Sequence, residues 1–548
     1  MTDWNFADSW ETVAALLPDA PALRHGDRVV TWADFERRAN GVAAALLAHG
    51  AARQDKVAHY LYNGPEYLES MFAVFKAGLV PVNTNYRYGD DELVYLWDNA
   101  DAVAVVFHGT FAERIEGLRA RVPGVRAWLW VDDGSGACPP WALAYEEAAA
   151  AGGPDRVAGP WGRSGDDLLL LYTGGTTGMP KGVMWRQDDL FAKINGGNLL
   201  RVPEDGGLEG LAKTIVGAGP VHLPACPLMH GTGMFSSIGA LDIGGCIVTL
   251  TNRHFDPVEL LETVERDNVN LMAIVGDAFA KPILAALDDR PGAYNLSTLL
   301  AILSSGVMWS EETKRGLLKH HPTMMLVDAF SSSEALGMGA SVSSGTSAEH
   351  TAHFTLGPGV RVIDPETDRD VAPGSGERGV LALGGRNPLG YYKDEAKSTA
   401  TFRVIDGVRY SVPGDFAIVE ADGSIQLLGR GSVCINTGGE KVFPEEVEEV
   451  LKRHEAVRDA VAVGVPDPRF GEVVAAVVEP RPGMALGEDD VIAHVKAHLA
   501  HYKAPKRVHL VETIGRAPTG KVDYARHRAE TVAWLDGAAA GEDVEAAG

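Results

Sequence analysis

Residues 172–182 read YTGGTTGMPKG, a stretch of glycines and threonines that contains a single lysine. The apolar run of residues 168–171 precedes it directly, which predicts a buried strand that opens into a loop. Backbone amides, hydroxyls and an ammonium group in such a loop favour an anion. A Walker A motif places its lysine directly after the last glycine, whereas two residues separate Gly178 from Lys181. The stretch therefore predicts a phosphate-binding loop that is not a Walker A loop.

The chain is long and acidic. Its 548 residues are too many for a single compact core, so at least two domains are expected. A formal net charge of −25 argues against a nucleic-acid partner, because the surface would repel the phosphate backbone. An anionic ligand then needs a local basic patch. The residues expected to supply it are Lys503, Lys506, Arg507, Arg516, Lys521 and Arg526. A solvated basic face is the ordinary alternative for all of them except Lys521, which stands in a Pro-Thr-Gly-Lys context.

Cysteine usage and hydropathy indicate the compartment. The four cysteines (Cys138, Cys226, Cys246 and Cys434) are widely scattered, without the spacing of a metal site, and fit a reducing cytoplasm. The first ten residues lack the basic start and apolar run of a signal peptide. No stretch approaches 18 uninterrupted apolar residues, so no integral membrane segment is expected. These features predict a cytoplasmic location.

Short apolar strands alternate with helix-like segments over most of the chain, which predicts an α/β fold with mixed and parallel sheets. Residues 1–429 are expected to form a large N-terminal domain, with a small β-rich subdomain at about 355–429. A hinge at 430–432 would lead to a smaller, mobile α+β domain at 433–535. The small, acidic residues 536–548 are expected to be a disordered tail.

Several further motifs follow the phosphate loop in a fixed order. They are DAFSSSEALG (328–337), GYYKDEAKSTATFR (390–403), RYSVPGDFAIVEADGSIQLLGR (409–430), GRGSVCINTGGEKVFPEEVEE (429–449) and RAPTGKVDY (516–524). Together they resemble the adenylate-forming superfamily of acyl-CoA synthetases, peptide-synthetase adenylation domains and luciferases, over nearly the whole chain. The sequences of these motifs are most similar to those of actinobacterial ligases that act on fatty or steroid-side-chain acids.

The resemblance implies an ATP site. Thr173 and Glu334 would hold Mg²⁺, Phe330 would stack on adenine, and Asp415 would bind the ribose hydroxyls with Arg430 close to the same sugar. The other implied nucleotide-binding residues are Gly174, Gly175, Thr176, Thr177, Gly178, Lys181, Ser305, Gly306, Ser331 and Ser333. Simpler readings stay open. Thr173 would then cap a turn, Glu334 would be a solvated acid at a helix start, Asp415 a turn residue and Arg430 a surface ion-pair partner.

The resemblance also implies the catalytic and CoA-binding residues. Lys521 would contact the carboxylate and the α-phosphate, and Ser432 would be the hinge pivot. His230 would gate the acyl pocket, although a packed histidine is an equal alternative. The loop expected to close over the thioester-forming site contains Gly438, Gly439, Glu440 and Lys441.

The function that follows is an ATP- and Mg²⁺-dependent acid–CoA ligase that forms acyl-AMP and then acyl-CoA. Its partners would be a bulky hydrophobic acid (fatty, steroid-side-chain or terpenoid), ATP and CoA, and a homodimer is one option for its assembly. Small residues in 231–245 and 276–280 would leave room for such an acid. Ser331, which stands where relatives have glycine, motivates an alternative enzyme that only transfers acyl groups from preformed acyl-AMP. A protein that loads a carrier protein is a second alternative.

Overall fold

A computed structural model describes residues 3–173, 179–198, 200–307, 309–345, 353–437, 440–467, 470–499, 501–516 and 522–546. The helices are α1 Phe6–Leu16, α2 Trp32–Ala48, α3 Pro65–Lys76, α4 Asp90–Asn99, α5 Ala112–Leu118, α6 Tyr145–Ala150, α7 Gln187–Gly197, α8 Gly207–Thr214, α9 Gly231–Asp242, α10 Pro257–Asp267, α11 Asp277–Asp289, α12 Glu311–His320, α13 Glu395–Thr401, α14 Pro444–Lys452, α15 Glu488–His498 and α16 Tyr524–Ala546.

The strands run from β1 to β28 in chain order. They are β1 Pro21–His25, β2 Arg28–Thr31, β3 Lys56–Tyr60, β4 Val80–Asn83, β5 Ala102–His108, β6 Ala127–Val131, β7 Leu143–Ala144, β8 Leu168–Thr173, β9 Lys181–Arg186, β10 Val221–Pro224, β11 Cys246–Thr249, β12 Leu271–Ile274, β13 Ala301–Ser305, β14 Met325–Ser332, β15 Ala335–Ser344, β16 His353–Leu356, β17 Val360–Ile363, β18 Arg378–Gly384, β19 Gly390–Tyr391, β20 Phe402–Ile405, β21 Val408–Ser411, β22 Asp415–Val419, β23 Ile425–Arg430, β24 Ile435–Thr437, β25 Glu440–Val442, β26 Val457–Asp467, β27 Gly471–Pro480 and β28 Arg507–Leu510.

The chain divides into two compact units. The first comprises Met1–Ala348, Gly357–Gly359 and Leu383–Ser411, and the second comprises Glu349–Leu356, Val360–Ala382 and Val412–Gly548. This division assigns two segments before residue 383 to the second unit, so it does not follow the predicted cut at 430–432. The boundaries 1–429 and 433–535 remain predictions.

Two sheets organise the first unit. One runs in the order β2-β1-β11-β10-β12-β13-β14-β15, and the strands from β1 to β14 in this order are parallel neighbours. The other runs in the order β19-β9-β8-β4-β3-β5-β6-β7, parallel from β8 to β7 and antiparallel at β9 and β19. Parallel strands joined through helices confirm the predicted α/β class.

Local sequence explains where these elements begin and end. Helix α2 begins after Thr31, whose hydroxyl accepts a hydrogen bond from the Asp34 amide at 3.2 Å. It ends before Gly50, which adopts a left-handed φ of 79°. The apolar positions of this helix pack into a core that contains Trp10, Trp32 and Phe35. Apolar residues recur at intervals of three and four across residues 31–50, a spacing that predicts a helix ending at Gly50, and the structure confirms this helix.

The second unit contains two smaller sheets. In one, β16, β23, β22 and the first residues of β18 pair in that order as antiparallel neighbours. In the other, β25, β24, β27 and β26 are antiparallel, and β28 pairs with β27 in parallel. Helix α16 extends to Ala546, so residues 536–546 are helical, whereas the sequence predicted a disordered tail at 536–548. Alanine, which supplies five of the thirteen residues there, has the highest helix propensity.

Among the described residues, no helix is long and apolar enough to cross a membrane.

Candidate active site

The predicted phosphate loop connects two paired strands. Strand β8 ends at Thr173, strand β9 begins at Lys181, and the two residues are direct partners in the antiparallel ladder. The apolar run of residues 168–171 is the buried strand that the sequence predicted. Gly174, Gly175, Thr176, Thr177 and Gly178 lie outside the described residues. Thr173 and Lys181 therefore stand side by side where the ladder opens toward the loop.

Glu334 lies in a tight turn between two strands. Ser332 of β14 pairs with Ala335 of β15, so Ser333 and Glu334 form the turn of a β-hairpin. Glu334 is only 7% exposed. Its Oε1 atom accepts a hydrogen bond from the Tyr391 hydroxyl at 2.8 Å. The simpler reading of Glu334 as a solvated acid at a helix start is wrong, because two-residue turns between strands leave no helix there.

Tyr391, the last residue of β19, and Asp394, three residues later, link Lys181 and Glu334. The Lys181 Nζ atom lies 2.6 Å from Asp394 Oδ2 and 5.8 Å from the centre of the Tyr391 ring. The hydrogen bond from Lys181 lowers the pKa of the Asp394 carboxyl. Tyr391 thus contacts both Glu334 and Lys181, Asp394 pairs with the lysine, and Thr173 is the strand partner of Lys181.

The residues that precede Glu334 support its hairpin. The Ser331 hydroxyl accepts a hydrogen bond from the Gly337 amide at 3.0 Å, across the turn. The carbonyl of Ser333 accepts a hydrogen bond from the Trp185 indole at 3.0 Å. Phe330 is half-buried and pairs with Gly339 in the ladder. The hydroxyl of the hydroxymethyl group that distinguishes Ser331 from glycine is therefore engaged within its own hairpin.

Ser305 and Gly306 lie at the carboxyl end of β13, where ligands commonly bind in open α/β sheets. Gly306 has a left-handed φ of 93° and is exposed. A Cβ atom at this glycine would meet nothing closer than 3.9 Å, from Thr232 and Val275. The Thr232 hydroxyl donates to the Ser305 carbonyl at 3.4 Å. The backbone at Gly306 is consequently open to an approaching ligand.

His230 immediately precedes α9, and its amide donates to the Pro227 carbonyl at 3.1 Å. Its position depends on Asn83, which is 4% exposed and lies at the end of β4. The Asn83 amide group donates to the carbonyls of Tyr172 and Met229 at 2.8 and 2.7 Å, and its oxygen accepts from the Tyr172 amide at 2.6 Å. Asn83 therefore joins the strand that leads to the phosphate loop to the segment that carries His230.

Sequence reasoning missed Asn83, Tyr391 and Asp394. The sequence offers one signal for Asn83. It is a polar amide side chain that ends the otherwise apolar run VPVN (80–83), a run typical of a buried strand. The motif GYYKD (390–394) contributes to the family resemblance but assigns no role to Tyr391 or Asp394. Nothing in that motif alone indicates which strand it borders.

The expectation that small residues in 231–245 leave room for the acid is wrong for two α9 glycines. A Cβ atom at Gly233 would meet the Pro227 carbonyl at 2.5 Å, and one at Gly239 would meet the Asn198 and Ile194 side chains at 2.8 Å. Gly233 is therefore required by its close approach to backbone, Gly239 packs closely against two side chains, and neither glycine creates space for a ligand.

In the second unit, Asp415 and Arg430 are direct partners in the antiparallel β22–β23 ladder. Asp415 is 6% exposed and follows Gly414, whose φ is 96°. Burial and the neighbouring Glu448 raise the pKa of Glu445 to about 8. A Cβ atom at Gly429 would collide with the Glu445 carboxyl, so this carboxyl packs against the strand that ends at Arg430.

Other predicted positions of the second unit are described in part or not at all. Ser432 lies in a single turn of 3₁₀ helix, Gly431–Val433. Glu440 and Lys441 belong to β25 and pair with Thr437 and Asn436 of β24. Gly438, Gly439 and Lys521 lie outside the described residues.

The basic patch expected near the C-terminus is partly neutralised. Arg516 makes two hydrogen bonds to Asp459, at 2.6 and 2.8 Å, and Lys503 pairs with Glu446. Both side chains are mostly buried. These two residues therefore serve the packing of their own domain, which corrects the expectation that they face an anionic ligand.

Comparison with known proteins places this geometry in a family. A model for AMP-binding enzymes matches residues 10–392, and a model for the C-terminal domain of AMP-binding enzymes matches residues 446–521. A medium/long-chain-fatty-acid–CoA/3-oxocholest-4-en-26-oate–CoA ligase of Mycolicibacterium smegmatis is 42% identical over 528 residues, 95% of each chain. A 3-oxocholest-4-en-26-oate–CoA ligase of Rhodococcus rhodochrous is 41% identical, over 95% of this chain and 94% of that one.

Two solved structures have a similar fold. The anthranilate CoA ligase AuaEII in complex with anthranoyl-AMP superposes with a TM-score of 0.83 at 21% identity, over 97% of this chain and 98% of the other. ATP-bound MatB from Rhodopseudomonas palustris gives a TM-score of 0.79 at 25% identity, over 96% and 99% of the two chains. The resemblance drawn from the motifs is thereby confirmed, and the chain belongs to the AMP-binding enzyme family.

Proposed function

We propose that this protein is an ATP-dependent acid–CoA ligase that forms acyl-AMP and then acyl-CoA from a bulky hydrophobic acid. The observation that carries the proposal is the cluster of Thr173, Lys181 and Glu334 at the opening of the β8–β9 ladder. Relatives at about 41–42% identity over nearly the whole chain are named as ligases of this type, which supports the same reaction here.

The chemistry explains why such a cluster is needed. A carboxylate is a poor electrophile, so it must attack the α-phosphate of ATP and expel pyrophosphate. Negative charge grows on the departing phosphates, and a fixed ammonium group such as Lys181 stabilises it. The resemblance assigns Lys521 to the carboxylate and α-phosphate. The acyl adenylate is then attacked by the CoA thiol and releases AMP, so no cysteine of this chain is required as a nucleophile.

Mg²⁺ fits the residues present. Thr173 and Glu334 offer a hydroxyl and a carboxylate, the oxygen donors that this cation prefers. When bound, Mg²⁺ would neutralise charge on the phosphate oxygens. Glu334 is buried, and a hydrogen bond on Oε1 fixes its orientation, as expected of a carboxylate that serves a cation.

We further propose that the acid is a medium- or long-chain fatty acid or a steroid-side-chain acid, as the names of the relatives suggest. The four cysteines form no disulfide in the structure, which supports work in the reducing cytoplasm. The domain plan, with 430–432 as hinge and 433–535 as lid, is proposed for the change from adenylation to thioester formation. The separate match of a C-terminal domain model to 446–521 supports it.

The test separates the two half-reactions over a panel of fatty, steroid-side-chain, terpenoid and aryl acids. Pyrophosphate release is measured with ATP, Mg²⁺ and acid in the absence of CoA, and acyl-CoA formation is measured from synthetic acyl adenylates. The proposal requires both activities with at least one large hydrophobic acid. Acyl-CoA formation from adenylates without pyrophosphate release from any acid would instead identify an enzyme of the second step alone.

A further inference from the structure

The segment GYYKD (residues 390–394) lies beside the strand that carries Lys181. Gly390 and Tyr391 pair with Met184 and Val183 of β9 in an antiparallel ladder. Backbone hydrogen bonds extend the contact on both sides, from Leu389 N to Met184 O and from Tyr392 N to Gly182 O, each at 2.8 Å. The segment is therefore fixed relative to Lys181 by main-chain bonds.

Tyr391 faces Glu334. Its hydroxyl donates to Glu334 Oε1 at 2.8 Å, and the tyrosine is 6% exposed. Its ring packs on Phe402, with ring centres 5.8 Å apart, while its amide donates to the Ser398 hydroxyl at 2.7 Å. A phenol hydroxyl so constrained can hold a carboxylate in one orientation, because hydrogen bonds to an ionised acceptor are strong and directional.

Asp394 faces Lys181. One of its oxygens lies 2.6 Å from Lys181 Nζ, and the other accepts from the Lys397 amide at 3.0 Å, where it caps α13. The same five-residue segment thus contacts both a predicted metal-binding carboxylate and the lysine predicted to face the phosphates. Tyr392 and Lys393, which lie between the two contacts, point elsewhere and bind Asp101 at the surface.

We propose that Tyr391 and Asp394 are positioning residues that set the orientation of Glu334 and Lys181 for Mg²⁺-ATP. This inference rests on the proposed function. Tyr391 fixes Oε1 of Glu334, which sets the direction of the rest of the carboxylate. Asp394 holds the lysine ammonium beside the opening of the loop until phosphate oxygens compete for it. The segment would act on the adenylation step and leave the thioester step unaffected, because pyrophosphate has left before CoA reacts.

The first test compares Tyr391→Phe with Tyr392→Phe. Both remove one phenol hydroxyl from adjacent residues, but only the first hydroxyl reaches Glu334. The affinity for ATP is measured by calorimetry in two conditions, one with Mg²⁺ and one with a chelator in place of Mg²⁺. Tyr391→Phe should weaken the Mg²⁺-dependent gain in affinity and lower pyrophosphate release by about tenfold, the effect of one charge-assisted hydrogen bond. Thioester formation from acyl adenylate and the melting temperature should match those of Tyr392→Phe.

A double-mutant cycle with Glu334→Gln distinguishes positioning from a general structural role. If Tyr391 acts through Glu334, Tyr391→Phe should have little further effect on Mg²⁺-ATP affinity in the Glu334→Gln background. Additive effects in the cycle, or equal loss of both half-reactions in Tyr391→Phe, would overturn the proposal. Asp394→Asn is tested in the same way against Asp101→Asn, which removes a surface carboxylate that pairs with Lys393. Equal effects of these two variants on ATP affinity would overturn the role of Asp394.

Failure of the proposed function would look different. A wild-type protein that releases no pyrophosphate with any acid would refute the ligase proposal. The calorimetric comparison of Tyr391→Phe and Tyr392→Phe needs no acid and would still decide whether Tyr391 supports Mg²⁺-ATP.

Discussion

Replacement of Asn83 by alanine tests how the phosphate loop and the His230 segment are held together. The buried amide makes three hydrogen bonds, two as donor to the carbonyls of Tyr172 and Met229 and one as acceptor from the Tyr172 amide. Alanine leaves three buried backbone groups without this partner. Since each unpaired group costs about 1–3 kcal/mol, the free energy of unfolding should fall by at least about 3 kcal/mol.

The same change should affect catalysis through geometry. Tyr172 directly precedes Thr173, and Met229 directly precedes His230. In the variant, the distance between these two segments is therefore no longer fixed by the Asn83 side chain. Misplacement by about 1 Å at a reacting centre can cost on the order of 10²-fold in rate, so we expect acid-dependent pyrophosphate release to fall at least tenfold. Thioester formation from preformed acyl-AMP should fall less, because it no longer needs the phosphate loop.

The matched control is Asn85→Ala. This residue is two positions away, and its side-chain oxygen accepts one hydrogen bond, from the Arg87 amide at 3.0 Å near the surface. Both variants are compared by thermal unfolding and by the two half-reactions. If Asn83→Ala and Asn85→Ala have the same stability and the same pyrophosphate release, Asn83 does not join the two segments and the reasoning is refuted.

Three further predictions concern single residues. Burial raises the pKa of Asp242 to about 8, so between its unfolded pKa near 4 and about pH 8 the folded state alone holds the proton. The free energy of unfolding should therefore fall as pH rises across this window. Asp242→Asn can still accept a hydrogen bond from the Trp10 indole, and in thermal melts it should make the melting temperature less dependent on pH between pH 5 and 8. Lys521→Ala should abolish pyrophosphate release but keep thioester formation from acyl-AMP; equal loss of both would refute its assigned role. Ser331→Gly removes the hydroxymethyl group whose oxygen accepts from the Gly337 amide, so pyrophosphate release should change less than about threefold, within the effect of one neutral hydrogen bond; a larger gain would mean that the serine obstructs adenylation.

Much of the first unit could be predicted from sequence because its signals are local. The apolar run before Thr173 is a buried strand, and the periodicity of 31–50 is a helix that begins after Thr31 and ends before Gly50. The sequence predicted the strand before the loop, but it kept Lys181 within the loop, whereas in the structure Lys181 begins strand β9 and pairs with Thr173.

The contacts around Glu334 could not be predicted, because they join residues far apart in sequence. Tyr391 reaches Glu334 across 57 positions, and Asp394 reaches Lys181 across 213 positions. Such pairs depend on which strands become neighbours, and here the short strand β19 borders β9. Composition also misled. Gly239 is small because α9 packs closely against Asn198, and a single chain gives no means to distinguish close packing from an open pocket.

The most direct test of the central claim is ATP–pyrophosphate exchange, measured with Mg²⁺ and each acid of the panel but without CoA. Exchange requires reversible formation of an acyl adenylate, so it reports the step for which Thr173, Lys181 and Glu334 are assembled. We predict exchange that depends on a medium- or long-chain fatty acid or a steroid-side-chain acid. The absence of exchange with every acid, while acyl-CoA still forms from synthetic adenylates, would contradict the account.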